Sequence, residues 1–407
     1  MARKEKTVLL TVQKKLCNSC GLCSNYCHQK AITYEVDRLG FYIPKVDKKK
    51  CIACGICYNA CPGINDLKNY DAKQESYFYG YSNDEEMHMN ASSGGITTEL
   101  LCYLINHKIV DYVTCVTNRT ESNAPEQVLT NSIDVIRSSR TSKYCPVKWN
   151  DIISQIEKVD GSVAVVALPC QVNSIKRHYA NRKHNIKYFI SLLCNHTPSL
   201  NAANYLVTAL GKDAHMRSII NRGDGFPGYM KIKLTVGTSP TEREICFPFR
   251  RTWAAGYGLY FKNRRCYICN DPFAKNADIV MGDSYFLQDT DDKGTTFCIV
   301  RNEELSVILN KMKGEKVIEL FDGPDESARK KYYKVLFDRE TDFSRKNSIL
   351  SVFGKSMATS NSTKYSHSFH EIFGFYKVLF VNSLGRYHFL WRYLARKKSV
   401  KELSIEK

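Results

Sequence analysis

The sequence predicts three parts: a small α+β unit at the N-terminus, an α/β domain behind it, and a mainly helical C-terminal extension. Three observations carry this. Two compact cysteine runs fill the first 61 residues, continuous apolar runs alternate with helical patterns over about 77–300, and an aromatic, basic segment lies near the end. At 407 residues the chain exceeds the usual single-domain size, and 43% hydrophobic residues exclude a wholly disordered chain.

The start, Met1 to Lys6, is charged, and the apolar stretch Thr7 to Val12 is too short for a signal peptide. No window approaches the roughly 18 apolar residues of a membrane span. A cytoplasmic protein is expected, and there its 17 cysteines point to metal ligands or redox groups rather than disulfides.

Cys17-x2-Cys20-x2-Cys23-x3-Cys27 recurs as Cys51-x2-Cys54-x2-Cys57-x3-Cys61-Pro62. This is the bacterial ferredoxin spacing, in which three cysteines hold one 4Fe-4S cluster and the fourth crosses to the other. Cys17, Cys20, Cys23 and Cys61 then hold one cluster, and Cys51, Cys54, Cys57 and Cys27 the second. Two-residue gaps make tight loops that turn thiolates toward one cluster, and Gly21 and Gly55 suit such loops. Zinc uses separated pairs more often than two compact runs of four. His28 stands where the pattern has proline, which leaves ligation intact. Ala31–Val36 and Phe41–Val46 flank a Gly-containing turn as a hairpin. Residues 1–70 therefore read as an α+β ferredoxin-like domain with two clusters.

From residue 77 the pattern is α/β. Ala91-Ser-Ser-Gly-Gly-Ile96 opens a helix to Ile105 with serine as its cap. Val110–Val116 reads as a strand. Ser162–Leu168 and Ile186–Leu193 are strands buried on both faces of a parallel sheet, each followed by a helix. They deliver Cys170 and Cys194 to their carboxyl ends, where open α/β sheets build sites. With Cys266-x2-Cys269, three readings stay open on spacing alone: a third four-thiolate cluster, a zinc site, or buried core cysteines.

Ser92-Ser93-Gly94-Gly95, Ser142-Lys143-Tyr144, Leu168-Pro169-Cys170-Gln171, Leu193-Cys194, the Cys266/Cys269 pair and Ala277-Asp278-Ile279-Val280-Met281-Gly282-Asp283 together resemble the beta subunit of coenzyme F420 hydrogenases and dehydrogenases. The resemblance covers about 77–300 and implies an α/β flavin and iron–sulfur domain with FAD and a 4Fe-4S cluster. It implies Cys170, Cys194, Cys266 and Cys269 as that cluster's ligands. It also implies Ser93, Gly94, Gly95, Lys143 and Tyr144 as cofactor-binding. Glycines at a helix start agree, because they let backbone amides approach a phosphate. Leu168 replaces the usual glycine before Pro-Cys-Gln, and Asn195-His-Thr-Pro-Ser199 departs from the archaeal enzymes, so the resemblance names cofactors rather than a substrate.

The formal charge of +18 counts every cysteine as neutral. Three clusters at roughly −2 each and a flavin diphosphate cancel nearly half of it. The remaining excess suits an acidic partner or substrate, and no nucleic-acid motif accompanies it. No triad or paired carboxylates suggest hydrolysis.

Residues with two readings are His196 (cluster tuning or a loop histidine), Asp283 (ligand contact or turn cap) and Arg222 (anion contact or solvent). Arg250, Arg251, Arg264 and Arg265 read first as solvated. Cys102, Cys115, Cys145, Cys246 and Cys298 read as core cysteines. In 301–407, Glu303–Met312 is a helix, Asp322–Asp325 a turn and Ser356–Ser368 a linker. Phe369–Leu394 reads as a helix with an aromatic face and a basic edge, packed back on the protein, docked on a partner complex, or peripheral to the inner membrane face.

The whole describes an oxidoreductase passing electrons between ferredoxin, or another redox protein, and a small two-electron substrate. The alternatives are a non-catalytic electron-transfer subunit of a larger complex, and a redox enzyme of cell-surface polysaccharide biosynthesis.

Overall fold

The computed structural model describes residues 6–65, 74–118, 125–149, 151–239, 241–287, 292–357 and 365–406. The N-terminal unit carries the expected hairpin, β1 (Ile32–Val36) against β2 (Tyr42–Val46). Short helices at Leu9–Gln13 and Ile56–Asn59 accompany it.

The central sheet has eight strands: β3 (Ser76–Ser82), β4 (Tyr112–Asn118), β5 (Pro125–Thr130), β6 (Val163–Ala167), β7 (Ile186–Leu192), β11 (Ile279–Asp283), β12 (Thr296–Val300) and β13 (Ile318–Asp322). A smaller antiparallel sheet holds β8 (Ala214–Ile220), β9 (Tyr229–Val236), β10 (Arg243–Pro248) and β14 (Ile405–Glu406), in the order β14-β10-β9-β8. The large sheet runs β13-β3-β12-β11-β7-β6-β4-β5. Its middle, β4-β6-β7-β11, is parallel, and its edge pairings are antiparallel.

The apolar run in β6 follows from burial on both faces. Val163, Val165 and Ala167 point into a core with the helices Ile152–Lys158 and Pro169–Tyr179, while Ala164 points into a second core with Ile96–Asn106 and Glu303–Gly314. Alternate residues of one strand thus serve two layers, so every position is apolar.

Several expectations change. The strand expected over Val110–Val116 runs over Tyr112–Asn118. The helix after Cys194, expected to begin near Pro198, starts at Asn201. The helix Ile96–Asn106 has Gly95 as its N-cap, in a left-handed conformation, with no side-chain cap. The serines bind neighbouring loops instead: Ser92 Oγ accepts from the Ser142 amide at 2.7 Å, and Ser93 Oγ donates to the Thr295 carbonyl at 2.8 Å. Phe369–Leu394 is not one helix; Phe369–Ser383 ends in two single turns before Trp391–Lys397. Part of the expected linker, 358–364, lies outside the described residues. Among the described residues no helix is long and apolar enough to cross a membrane.

Gly94 is held by close approach. A Cβ there would lie 2.5 Å from the Gly80 carbonyl oxygen and 2.8 Å from the Thr296 amide. Gly94→Ala must push the loop off the sheet and is expected to cost about 1–3 kcal/mol, seen as a lower urea midpoint; an unchanged midpoint would refute the packing argument.

Candidate functional site

In the N-terminal unit the two interleaved sets appear in the electrostatics. Burial pushes the Cys17 thiol up to about 12, and the charge of Cys61 adds to the rise. Cys20 and Cys23 rise for the same leading reason, with Cys17 and Cys61 contributing. Cys57 is raised by burial and then by Cys54, Cys27 and Cys51. Cys61 therefore acts on the first set and Cys27 on the second. The first set is partly covered or buried, whereas Cys54 is exposed. Donors already meet the sulfurs: the Ser19 amide reaches Cys17 Sγ at 3.4 Å and the Ala31 amide reaches Cys27 Sγ at 3.3 Å.

The parallel strands bring the second group together. β6 ends at Ala167, Pro169 starts the next helix, and Gln171 Oε1 accepts from the Leu168 amide at 2.8 Å, which places Cys170 in the helix's first turn. β7 ends just before Leu193 and Cys194. Cys266 lies in the single turn Arg264–Ile268, with Cys269 directly after it. Asn263 and Arg265 tie this turn to the N-terminal unit: Asn263 Nδ2 donates to the Cys17 carbonyl at 3.2 Å, and Arg265 Nε to that of Gly63 at 3.1 Å. Arg265 is therefore buried, not solvated.

Cys170, Cys194, Cys266 and Cys269 line one small cavity with Pro62 and Arg265. Burial drives the Cys170 and Cys194 thiols well above their ordinary value, and charges on the other cysteines of the group add to this; Cys20 also acts on Cys170. Among the described residues no three His, Cys, Asp or Glu side chains stand close enough to hold a single metal ion.

A larger cavity of about 470 Å³ adjoins these cysteines, with Cys20, Cys170 and Cys194 in its wall. Ser93, Gly95, Lys143 and Tyr144 line it, while Gly94 faces the sheet. Cys115 and Cys145, expected as plain core cysteines, also reach its wall. Gly95, at φ +83°, starts the helix at the rim. Tyr144 stacks on Phe249 at 5.3 Å and meets Trp253 edge-on at 5.1 Å.

Arg222, read as a loop arginine, is buried. Its Nη1 donates to Asp283 Oδ2 at 2.8 Å, and its Nη2 has no hydrogen-bond partner among the described residues. Burial opposes its charge, but Asp283 and Tyr144 outweigh this and raise its pKa. Asp283 therefore pairs with a cation at the cavity wall rather than capping a turn. Both ring nitrogens of His196 are likewise buried without partners, 4.9 Å from Trp253 between ring centres. Burial, then Lys262 and Arg339, holds His196 well below the usual histidine pKa. The sequence offered no signal for Phe249 or Trp253 as wall residues, since they come from an unrelated segment.

Burial pushes Lys143 down to about 8, and its Nζ donates to Thr141 at 2.7 Å. The unfolded value is about 10.4, so the folded chain loses this proton first. Stability then rises between about pH 8 and 10.4. The stability gap between Lys143→Met and the wild type is expected to be full below pH 8. It should close by on the order of 3 kcal/mol across that window. Urea titrations of the ligand-free chain at several pH values test this, and a constant gap would sink it.

Residues 16–63 match the 4Fe-4S dicluster domain, 77–154 match the coenzyme F420 hydrogenase/dehydrogenase beta subunit N-terminus, and 160–326 match its C-terminus. A subunit of the F(420)H(2) dehydrogenase from Methanosarcina mazei is 26% identical over 194 residues, covering 45% of this chain and 54% of that one. This chain thus spans about half of that relative. The coenzyme F420-dependent sulfite reductase of Methanocaldococcus jannaschii is 26% identical over 167 residues, covering 41% of this chain and 26% of that one. A chain of the F420-reducing NiFe hydrogenase complex from Methanosarcina barkeri shares the fold with a TM-score of 0.52 at 16% identity, over 73% of this chain and 99% of that one. With both halves of the family and the 4Fe-4S dicluster domain matched in order, this chain belongs to the coenzyme F420 hydrogenase/dehydrogenase beta subunit family.

Proposed function

We propose that the chain is an iron–sulfur flavoprotein that passes electrons between two ferredoxin-type 4Fe-4S clusters and a small two-electron substrate, by way of a third cluster and FAD. The observation that carries this is the large cavity, whose single wall includes Cys20 of the first set, Cys170 and Cys194 of the second group, and Ser93, Gly95 and Lys143. The residues fit the groups proposed. Eight cysteines of the dicluster pattern and four around one cavity match thiolate ligation. The larger volume lies within the roughly 300–1,000 Å³ of ligand pockets.

FAD, when bound, supplies the exchange between hydride and single electrons that clusters alone lack. The chain's residues bind, orient and shield. At the start of Ile96–Asn106, amides without intrahelical partners suit a phosphate, and Lys143 adds positive charge beside them. Tyr144, Phe249 and Trp253 provide flat apolar walls that exclude water. Arg222 Nη2 and the neutral His196 ring offer polar atoms for a substrate or cofactor. The outer set, with exposed Cys54 beside exposed Lys48, Lys49 and Lys50, suits exchange with an acidic carrier such as ferredoxin.

The relatives' names make a deazaflavin coenzyme the first substrate to test, with another small molecule as the second. They also favour docking to a larger complex. The proposed division is 1–70 for the two clusters, 77–300 for FAD and the third cluster, and 301–407 for the extension, in a cytoplasmic protein.

The test is iron, acid-labile sulfide and flavin content of the anaerobically purified chain. About 12 iron atoms and one FAD per chain are expected. About 8 iron atoms with no flavin would leave a ferredoxin unit fused to an adaptor, and the proposed function would fall.

A further inference from the structure

The C-terminal segment is anchored on one side and apolar on the other. Trp391, Leu394, Ala395, Val400 and Leu403 are buried against β9, β10 and the helix Asn201–Leu210. Asn382 Nδ2 donates to the Leu259 and Lys262 carbonyls at 3.1 and 2.9 Å, and β14 extends the small sheet beside β10. This side packs back on the protein and is fixed.

The other side carries rings into solvent. Phe369 is 83% exposed, Phe373 58% and Phe380 65%, and on the turns that follow Phe389 is 80% and Tyr393 62% exposed. At 3.6 residues per turn, Phe369, Phe373 and Phe380 fall within about 40° of one another, with Lys377 at the stripe's edge. From residue 372 to 401 the chain has seven Lys and Arg and no Asp or Glu.

We propose that this surface binds the face of an anionic phospholipid bilayer. Burying these rings is favourable, and protruding rings on a fixed platform suit insertion to headgroup depth. Glu371, between Phe369 and Phe373, is paired with Arg345, so the excess of Lys and Arg complements anionic headgroups, and each nearby basic residue strengthens the attraction. A protein interface would be depleted of lysine, whereas Lys377, Lys397, Lys398 and Lys401 lie in this stretch. Attachment is peripheral, because no described helix is long and apolar enough to cross. The inference stands apart from the proposed redox chemistry.

The test is co-sedimentation of the full chain, purified anaerobically, with two kinds of vesicle: phosphatidylcholine alone, and phosphatidylcholine with phosphatidylglycerol in equal parts. Binding to the second only, released by salt, is expected. Arg392→Glu with Arg396→Glu should weaken it at least about tenfold, as should joint replacement of Phe369, Phe373 and Phe380 by serine, with iron content unchanged. If that triple variant misfolds, Phe389→Ser with Tyr393→Ser gives the same reading. Failure to bind anionic vesicles, or variants that bind like the wild type, overturns the proposal. So does a chain indifferent to both vesicles that instead binds a defined protein through Phe389.

Discussion

Cys269→Ser is expected to purify with about eight iron atoms per chain in place of about twelve, a loss of one four-iron group. Cys269 lines the same small cavity as Cys170, Cys194 and Cys266, and the eight cysteines of the two N-terminal runs lie apart from that group in sequence. Electron exchange between the large cavity and the exposed Cys54 region should fall at least about 100-fold, since removing a ligand exceeds the 10–100-fold typical of perturbing its surroundings. Cys102→Ser, on the buried face of the helix Ile96–Asn106, should keep all the iron. Iron and sulfide analysis of the two variants decides the matter. Twelve iron atoms in the Cys269 variant would show that the central cysteines hold no cluster.

The second large effect concerns the buried pair at the cavity wall. Arg222→Met leaves Asp283 facing the cavity without its cation and is expected to cost about 3–5 kcal/mol of stability, because an uncompensated buried charge is left behind. Arg222→Met with Asp283→Leu removes both charges and should recover most of that loss. Denaturant midpoints of the wild type, the two single variants and the double variant complete the cycle. If the single variant is as stable as the wild type, the pair is a solvated surface contact and the assignment fails. Turnover adds a separate readout. A double variant that regains stability but not substrate affinity would assign the Arg222–Asp283 pair to binding.

Much of the fold was legible. The alternating layers behind Ser162–Leu168 and Ile186–Leu193 give continuous apolar runs, and β6 and β7 lie there. The small sheet also leaves a signal in the sequence. Met230, Ile232 and Leu234 are buried while Lys233 is exposed, a period-two signal in β9. The serine cap misled because a helix start can be made by backbone alone. Gly95 turns left-handed, which frees Ser92 and Ser93 to bind other loops. The extension was only half legible. Its periodicity marked an aromatic face, but the turns after Ser383 break the helix and let Trp391 pack inward.

The sequence by itself determined the chemistry of the ligand sets, because three cysteines at two-residue spacing turn toward one cluster through local loop geometry, and the duplicated run marks the fourth that crosses to the other. It also determined the class of the central sheet, because burial on two faces leaves its mark on every residue of a strand. Only the tertiary structure decided which distant groups meet. Cys170, Cys194 and the Cys266/Cys269 pair come from three separate segments, and Arg222 reaches Asp283 from a loop 61 residues away. Those meetings depend on the order of strands in the sheet and the docking of the N-terminal unit through Arg265. No local pattern of apolar and polar residues encodes such long-range geometry.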